Sequence, residues 1–493
     1  MKPKNSFLGK RFQNISESPI FIALGVGLYP LVFYYSRNFG MINSWEQFGY
    51  FLLLFIALPI LFFSLLKWIS KLSFAAKWGK YLLPYFSIFL FLFYIKIILY
   101  ADIQRKIILG IFILSLLIAF LLYKHFKKWI LLQLILVVIG FMGLVPTLLK
   151  YVSYSSAWMQ QPDDIEEVVF QKKPNIYYIQ PDGYASSSQL ESDFYKVDNS
   201  SFNNFLAENG FKNYPDFRSN YITTISSNSA TFMMKHHYYN KGKDYSEMLH
   251  ARKNIISENA VLSVFKNNGY KTHFISEPPY LLVNRPKLGF DHTNFDYSEV
   301  PYITTGLNVK REVFPDLEKA IATKNEGGNF FFIEIFEPSH ISTTKEGSQG
   351  KEVERELWLE RFKIANAKIK KMVNLITEKD PEALIMIMAD HGGFVGLDYT
   401  RQVYTKTSNP QIIYTTFGAM LAIKWPNAEA PSIDSHFKSC VNAFRVLFTY
   451  LGEEPKYLEH LEEDGSYLIL KEDTEAGVYQ YIDGQGNIVF KKV

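Results

Sequence analysis

Two apolar stretches of this 493-residue sequence end in residues that can bind a metal ion. NIYYIQPDGY places Asp182 after its apolar run, and LIMIMADHGG places Asp390 and His391 before two glycines. An Asp-Gly pair alone is typical of a turn, whereas an adjacent Asp-His pair after a buried strand is more specific, because both side chains need solvent or a partner. Two carboxylates and an imidazole suit zinc or manganese. We therefore predict a metal site with one open coordination position, as catalytic sites have.

Residues 223–229 of the segment Ser219–Met234 include six hydroxyl or amide side chains just before a helical run. Capping of a helix N-terminus accounts for one or two of them, but not for all. A metal-activated hydroxyl at such a terminus can act as a nucleophile, and the free helix amides suit an anionic phosphate. The candidates are Thr223, Thr224, Ser226, Ser227, Asn228 and Ser229.

Alternating strands and helices after residue 173 must position these residues. The sequence predicts strands at 175–180, 271–275, 329–336, 384–389 and 417–423, and helices near 201–209, 260–268, 313–323, 352–377 and 435–451. Fully apolar strands that alternate with helices predict an α/β fold with a mostly parallel sheet, whose ligands bind beyond the carboxyl ends of the strands. The last residues, 467–470, 478–482 and 488–492, predict short antiparallel strands with a hairpin.

The first 150 residues differ in composition from the rest. They contain 16 Lys or Arg and 3 Asp or Glu, against 36 and 45 in the remainder. Apolar stretches at 19–35, 48–66, 81–100, 107–123 and 129–149 each approach the ~20 residues that a helix needs to span a bilayer. We predict an all-α membrane bundle of five spans in residues 1–150, a linker in 151–173 and the α/β domain in 174–493.

The basic residues predict how the spans are oriented. Eleven lie in the N-terminus and in the second and fourth loops, and three lie in the first and third loops. The positive-inside rule then places the N-terminus in the cytoplasm, and five spans place the α/β domain outside. Because the basic residues punctuate apolar runs instead of forming a patch, no nucleic-acid partner is expected. The single cysteine, Cys440, excludes a disulfide scaffold and lies in a helical apolar run that predicts a core position.

Three parts of the sequence together resemble motifs of the alkaline phosphatase/sulfatase superfamily, namely PNIYYIQPDGYAS, the segment Ser219–Met234 and MADHGG. More narrowly, they resemble its membrane-anchored branch, which includes lipoteichoic acid synthase and the lipid A phosphoethanolamine transferases. The resemblance covers most of the chain. It implies an alkaline-phosphatase-like catalytic domain in which Asp182, Asp390 and His391 hold the metal and a threonine is both metal ligand and nucleophile.

In that branch the nucleophile is commonly a Thr with a Ser three residues later. Thr224 with Ser227 fits this spacing, and so does Thr223 with Ser226. We favour Thr224, because its flanking residues align better with the family, and this register makes Ser227 a substrate-binding residue.

Two further positions match the family. FFFIEIFEPSH ends at His340, where the family has a substrate-binding histidine, and Val283-Asn284-Arg285 resembles an aromatic-Asn-Arg triplet whose Arg binds the substrate phosphate. Val283 departs from that triplet. Asp182 also departs, since the headgroup transferases usually have Glu there. Ser339 stands where two-zinc phosphodiesterases have an Asp for a second metal, so one divalent metal, zinc or manganese, is expected.

The leading hypothesis is a membrane-bound transferase that moves a phosphoethanolamine or phosphoglycerol headgroup through a phospho-threonine intermediate. The donor is a phospholipid, and the acceptor is a glycan, lipid or polymer of the envelope. The alternatives are a phosphodiesterase or sulfatase-like hydrolase of the same fold and a non-catalytic membrane scaffold. The complete set of Thr224, Asp182, Asp390 and His391 argues against a scaffold, which has no need of costly buried polar groups. His236 and His237 follow the nucleophile helix and could reach the site, but an exposed polar face is the favoured expectation for both.

Overall fold

The structure, a computed structural model, describes residues 18–73, 78–101, 103–241 and 248–493. They form two compact units. The first contains the described residues up to Tyr154 together with Val283–Arg285 and Pro301–Thr305, and the second contains the rest. The basic N-terminal residues that contribute to the predicted orientation lie outside the described residues.

Apolar helices make up most of the first unit. They are α1 (Pro19–Asn38), α2 (Trp45–Leu52), α3 (Leu58–Ile69), α4 (Gly79–Tyr100), α5 (Arg105–Leu122) and α6 (Phe126–Val152). A π-helical turn, Leu53–Ala57, joins α2 to α3. Four stretches of the described residues are long and apolar enough to span a membrane, namely Pro19–Met41, Trp45–Ile69, Gly79–Tyr100 and Arg105–Val152. The last has 48 residues and contains both α5 and α6, so the predicted number of five spans stays a prediction.

Glycines allow α1 to approach its neighbours closely. A Cβ atom at Gly27 would lie 1.6 Å from the carbonyl oxygen of Phe55 in the π-helical turn. A Cβ atom at Gly140 of α6 would lie 3.1 Å from Val32 of α1. Small residues at such positions are typical of helices that pack inside a membrane, where close van der Waals contact drives association.

A seven-stranded sheet forms the centre of the second unit, in the order β2-β7-β6-β1-β5-β3-β4. Its strands are β1 (Ile176–Pro181), β2 (Phe211–Asn213), β3 (Lys271–Ser276), β4 (His292–Thr293), β5 (Asn329–Ile335), β6 (Leu384–Met388) and β7 (Leu421–Lys424). The pairings among β6, β1, β5, β3 and β4 are parallel, and β7 is antiparallel to β6 and β2. All residues of β1, β5 and β6 are buried, which explains their apolar sequences. The predicted mostly parallel sheet is confirmed.

Helices cover both faces of this sheet. They are α7 (Ser187–Leu190), α8 (Ser200–Glu208), α9 (Thr224–Met233), α10 (Ala251–Ile256), α11 (Ala260–Asn267), α12 (Val313–Ala322), α13 (Lys351–Lys379), α14 (Pro410–Phe417) and α15 (Cys440–Gly452). On one face, the rings of Phe232 in α9 and Phe444 in α15 contact the ring of Tyr178 in β1. On the other face, the hydroxyl of Tyr177 donates to Asp380, directly after α13.

The predicted strand at 417–423 is wrong at its start. Helix α14 ends at Phe417, and β7 begins only at Leu421. Asn409 caps α14 by accepting the N–H of Gln411, and Pro410 suits the first helical turn, so these signals continue the helix to Phe417. The other four predicted strands are confirmed, whereas the short edge strands β2 and β4 carry no periodic signal.

The C-terminal residues form a separate antiparallel sheet in the order β10-β9-β8. Its strands are β8 (Ser466–Leu470), β9 (Gly477–Ile482) and β10 (Ile488–Lys492), which confirms the predicted hairpin. In the large sheet, the parallel strands β1, β5 and β6 end at the same edge. Asp182, His340 and Asp390 follow these three ends, so the fold gathers them there.

Candidate active site

Asp182, Asp390 and His391 lie together beyond the ends of β1 and β6. One ligand atom from each residue lies within 4.8 Å of the others, and all three residues are buried. His391 Nε2 is 3.4 Å from Asp182 Oδ1 and also 3.4 Å from Asp390 Oδ2. The structure thus brings together the three residues that the sequence predicts as metal ligands.

Hydrogen bonds orient these ligand atoms. Asp390 Oδ1 accepts the backbone N–H groups of Gly183 at 3.1 Å and of His391 at 3.0 Å. Asp390 Oδ2 is buried and accepts no hydrogen bond among the described residues. His391 Nδ1 donates to the carbonyl of Gly392 at 2.8 Å, which leaves Nε2 as the ligand atom. A buried carboxylate oxygen without a donor, beside a second carboxylate and an imidazole nitrogen, fits a divalent cation such as zinc or manganese.

Burial and neighbouring charges shift the pKa values of Asp390 and His391. Burial raises the pKa of Asp390 to about 6, with His391 opposing the shift and Asp182 adding to it. Burial acts to lower the pKa of His391, but the Asp390 and Asp182 carboxylates outweigh it and raise that pKa. Without a cation these groups therefore hold protons more tightly than usual, and cation binding releases protons from the site.

Helix α9 begins with Thr224 at the same edge of the sheet. Thr223 is the residue that caps it, because its hydroxyl accepts the N–H of Ser226 at 3.3 Å and donates to the Ser226 hydroxyl at 3.0 Å. Thr224 Oγ1 instead donates to Asp182 Oδ1 at 3.3 Å. The geometry thus favours Thr224 over Thr223 as the hydroxyl that joins the predicted metal ligands.

Ser227 and Ser229, in the segment Ser219–Met234, contact residues other than the metal ligands. Ser227 is buried beside the thiol of Cys440, which lies in the core as predicted. Ser229 donates to the carbonyl of Ile225 at 2.7 Å, one helical turn earlier. Ser227 is not among the residues that line the cavity described below, within the part of the chain that the structure describes. Its role in substrate binding stays a prediction.

The expectation that His236 and His237 lie on an exposed face is wrong. Both are buried, and hydrogen bonds occupy their ring nitrogens. His236 Nδ1 pairs with the Tyr221 hydroxyl at 3.0 Å and Nε2 with the carbonyl of Glu463 at 2.8 Å. His237 Nε2 pairs with the carbonyl of Ser226 at 2.9 Å. His236 thus links the residues after α9 to the segment before β8, whereas His237 bonds back to a carbonyl of α9.

His340 lies after β5, and its ring centre is 6.2 Å from that of His391. Its Nδ1 donates to the carbonyl of Ile341 at 2.6 Å, so Nε2 is the ring nitrogen left for a substrate. Burial lowers the pKa of His340, while the Asp182 carboxylate opposes the shift and His391 adds to it. The ring is therefore uncharged at neutral pH and can accept a proton at Nε2.

An open cavity of about 920 Å³ adjoins these residues. Asp182, Thr224, His340 and His391 line it at one end. Loops form its walls and are joined by backbone hydrogen bonds, from Thr400 to the carbonyl of Ser342 and from Lys471 to the carbonyl of Tyr404, each at 2.9 Å. The walls contribute the cationic residues Lys345, Arg401 and Lys471, the acidic residues Glu346 and Glu472, and the aromatic residues Tyr280, Tyr399 and Tyr404. Sequence analysis missed these loop residues because no motif marks them.

Arg285 groups with the first unit. Its Nε donates to Glu46 Oε1 at 2.9 Å, and its guanidinium lies 4.2 Å from the ring centre of Tyr302. The Tyr302 hydroxyl donates to the same Glu46 oxygen at 2.5 Å. Arg285 is not among the described residues that line the cavity, so its contact with a substrate phosphate stays a prediction.

Sequence analysis also passed over Glu334, which is fully buried on β5. It lies in register with Gln180 of β1 and Ser276 of β3. Burial raises the pKa of Glu334 well above its ordinary value, and the Asp182 and Asp390 carboxylates add to the shift. Burial therefore favours the protonated, uncharged form of this side chain. A single polar residue inside an apolar strand gives no sequence signal of such a position.

No protein-family model and no curated protein matches the sequence. Among solved structures, the integral membrane protein lipooligosaccharide phosphoethanolamine transferase A from Neisseria meningitidis is 15% identical, with a TM-score of 0.41, over 89% of this chain and 95% of that chain. The C-terminal periplasmic domain of EptC from Escherichia coli is 11% identical, with a TM-score of 0.42, over 65% and 97%. The lipoteichoic acid synthase LtaP from Listeria monocytogenes is 12% identical, with a TM-score of 0.41, over 66% and 91%. Both groups that the sequence motifs resemble are present among these structures.

Proposed function

We propose that this protein is a membrane-bound, metal-dependent phosphotransferase. It moves a headgroup of phosphoethanolamine or phosphoglycerol type from a phospholipid donor to an acceptor in the cell envelope. The observation that supports this most strongly is the hydrogen bond from the Thr224 hydroxyl to Asp182, inside a buried Asp-Asp-His group at the end of a large open cavity.

The residues present fit one divalent cation, zinc or manganese. Asp182, Asp390 and His391 would hold it, with Thr224 as a further ligand. A bound cation there supplies Lewis-acid stabilisation of phosphoryl charge and favours the ionised form of a nearby hydroxyl.

The proposed reaction consists of two displacements at phosphorus, with Thr224 as nucleophile in the first and as leaving group in the second. In the first, Thr224 Oγ1 forms a bond to phosphorus, the bond from phosphorus to the diacylglycerol oxygen breaks, and the Thr224 proton ends on that oxygen. In the second, the oxygen of an acceptor hydroxyl forms a bond to phosphorus, the Thr224–phosphorus bond breaks, and the proton of the acceptor hydroxyl ends on Thr224 Oγ1. We assign the proton transfer in both displacements to Nε2 of His340, because Nδ1 already donates to the carbonyl of Ile341.

The N-terminus of α9 assists the same chemistry. Thr224 is its first residue, so the first-turn amides that have no partner within the helix lie next to the proposed nucleophile, and one of them, that of Ser226, donates to Thr223. A helix N-terminus stabilises negative charge through these amides and the helix dipole. The Thr223 hydroxyl forms two hydrogen bonds with Ser226, and these fix where this turn begins.

We further propose that the enzyme lies in the plasma or inner membrane, with its N-terminus in the cytoplasm and the catalytic domain outside. The apolar stretches of the first unit and the uneven distribution of basic residues support this orientation. It gives the cavity access to lipids of the outer leaflet and to an envelope glycan, lipid or polymer as acceptor.

The test uses the full chain in detergent with zinc or manganese and a mixture of phosphatidylethanolamine and phosphatidylglycerol. Release of diacylglycerol supports the donor reaction, and the headgroup whose lipid is consumed identifies the substrate. Labelled headgroup on added envelope material supports a transferase, whereas free phosphorylated headgroup without acceptor indicates the hydrolase alternative. No diacylglycerol with either lipid and either metal would overturn the proposal.

A further inference from the structure

One helix forms hydrogen bonds with three residues of the turn that ends in His340. We call residues Glu337–His340 the His340 turn. Trp358 Nε1 of α13 donates to the carbonyl of Ser339 at 2.9 Å, and Arg361 Nη2 donates to the carbonyl of His340 itself at 3.0 Å. Lys368, further along α13, donates to Glu337 Oε2 at 2.7 Å. The helix therefore holds the His340 turn at both of its ends.

The same turn packs tightly against the predicted metal ligands. The N–H of Ser339 donates to the carbonyl of Asp182 at 2.7 Å. A Cβ atom at Gly183 would lie 2.5 Å from the Ser339 carbonyl oxygen, and one at Gly393 would lie 2.5 Å from Trp358 Nε1. Trp358 thus lies between the His340 turn and the loop that follows Asp390 and His391. The side chain is fully buried, so its position is fixed by packing.

We propose that Trp358 and Arg361 are positioning residues that set the location of His340 relative to the metal ligands. The inference rests on the proposed function, in which His340 transfers protons. The imidazole itself makes its hydrogen bond to the neighbouring Ile341 carbonyl, which orients the ring but does not fix the turn. The backbone bonds from α13 supply that restraint, as supporting residues do around catalytic groups.

The size of the effect follows from the sensitivity of proton transfer to distance. A displacement of about 1 Å can cost on the order of a hundredfold in rate. Loss of one of the two bonds should lower kcat by roughly ten- to a hundredfold. The KM should stay nearly unchanged, because the other cavity residues are not displaced. The effect should also vanish when the His340 imidazole is absent.

The experiment is a double-mutant cycle on the full chain, with diacylglycerol release as the rate. Arg361→Gln and Trp358→Phe are each measured alone and combined with His340→Ala. Arg361 is only partly buried, so Arg361→Gln keeps the test available if Trp358→Phe does not fold.

Two matched controls separate positioning from general destabilisation. Arg355→Gln changes an arginine of the same helix that donates to the carbonyls of Phe194 and Tyr195. Trp425→Phe changes a buried tryptophan whose Nε1 donates to the Tyr214 hydroxyl at 3.4 Å. Thermal unfolding and bound metal are measured for every variant.

We expect Arg361→Gln and Trp358→Phe to lower kcat at least about tenfold with His340 present and by less than about twofold in the His340→Ala background. Both controls should keep kcat within about twofold at a similar loss of stability. An unchanged kcat, or the same fold-loss of kcat with and without His340, would overturn the positioning role. Either result would leave the proposed transferase standing. No diacylglycerol release by the unaltered protein would overturn both.

Discussion

The Thr224 hydroxyl and the Asp182 carboxylate are joined by a hydrogen bond of 3.3 Å between Oγ1 and Oδ1. Thr224 is the first residue of α9, and Asp182 is the first residue after β1. A helix N-terminus and the carboxyl end of a parallel strand therefore meet at these two side chains. Both kinds of site favour negatively charged ligands, the helix through its amides and the strand end through the cation that its carboxylate can hold.

The first prediction separates the two adjacent threonines. Thr224→Ala should lower headgroup transfer by about a thousandfold or more, the scale expected for loss of a covalent nucleophile. Thr223→Ala should lower the free energy of unfolding by about 1 kcal/mol through loss of the helix cap and leave most of the transfer. Rates and chemical denaturation of both variants check this. The reverse pattern would shift the nucleophile by one residue.

The second prediction concerns metal binding. Asp390→Asn and His391→Ala should retain less than about a tenth of the zinc or manganese that the unaltered protein keeps after dialysis, because each removes a ligand atom. Asp380→Asn is the matched control: Asp380 is buried and accepts from Asn175 and Tyr177, and it lies outside the group of Asp182, Asp390 and His391. It should lose stability and keep its metal. Elemental analysis that shows full metal content in Asp390→Asn would contradict the assigned site.

The third prediction follows from the raised pKa of Asp390, about 6 in the folded chain. An unfolded Asp has a pKa of about 3.9. Because the pKa of Asp390 is higher in the folded chain than in the unfolded chain, its contribution to the stability of the metal-free fold is fully present below about pH 4. This contribution is lost as the pH rises through about 6. The free energy of unfolding falls by about 3 kcal/mol in all.

Thermal unfolding of chelator-treated protein at pH 5 and pH 7.5 checks the third prediction. Asp390→Asn should gain about twice as much stability over the unaltered protein at pH 7.5 as at pH 5. Added zinc or manganese should remove this difference, since the cation compensates the ionised carboxylate. A difference that is independent of pH would show that Asp390 ionises normally.

The fourth prediction concerns sidedness. Protease added to intact spheroplasts should digest the chain from near Val152 onward and leave an apolar N-terminal fragment. A tag at the C-terminus should react with impermeant reagents, and a tag at Met1 should not. Since one span more or fewer inverts the answer, a protected C-terminus would indicate an even number of spans and an intracellular enzyme.

The metal ligands were predictable because their signal is local. Asp182 follows a mostly apolar run and the pair Asp390-His391 follows an apolar one, and in a parallel sheet such runs end at one edge. The choice between Thr223 and Thr224 was not fixed by residue type, since both are hydroxyls in one short segment. This choice depends on where α9 begins, and the sequence does not define a helix boundary to within one residue.

The surroundings of His340 were not predictable for a different reason. Trp358 and Arg361 lie on a helix that begins after the His340 turn, and no spacing rule links a loop carbonyl to a distant side chain. The contact of Arg285 with Glu46 likewise joins residues that are 239 positions apart in the sequence. The start of β7 was misplaced because Phe417 is apolar in either structure, and only the Asn409-Pro410 pair marks the helix before it.

The most direct measurement is mass spectrometry of the tryptic peptide Ser219–Lys235 after the metal-loaded protein has been incubated with phospholipid and no acceptor. Fragmentation of this peptide resolves Thr223 from Thr224. The proposed mechanism predicts a phosphoethanolamine or phosphoglycerol adduct on Thr224 that disappears when acceptor is added. Steady diacylglycerol release with no adduct on this peptide, in the unaltered protein and in His340→Ala, would contradict a covalent intermediate on Thr224.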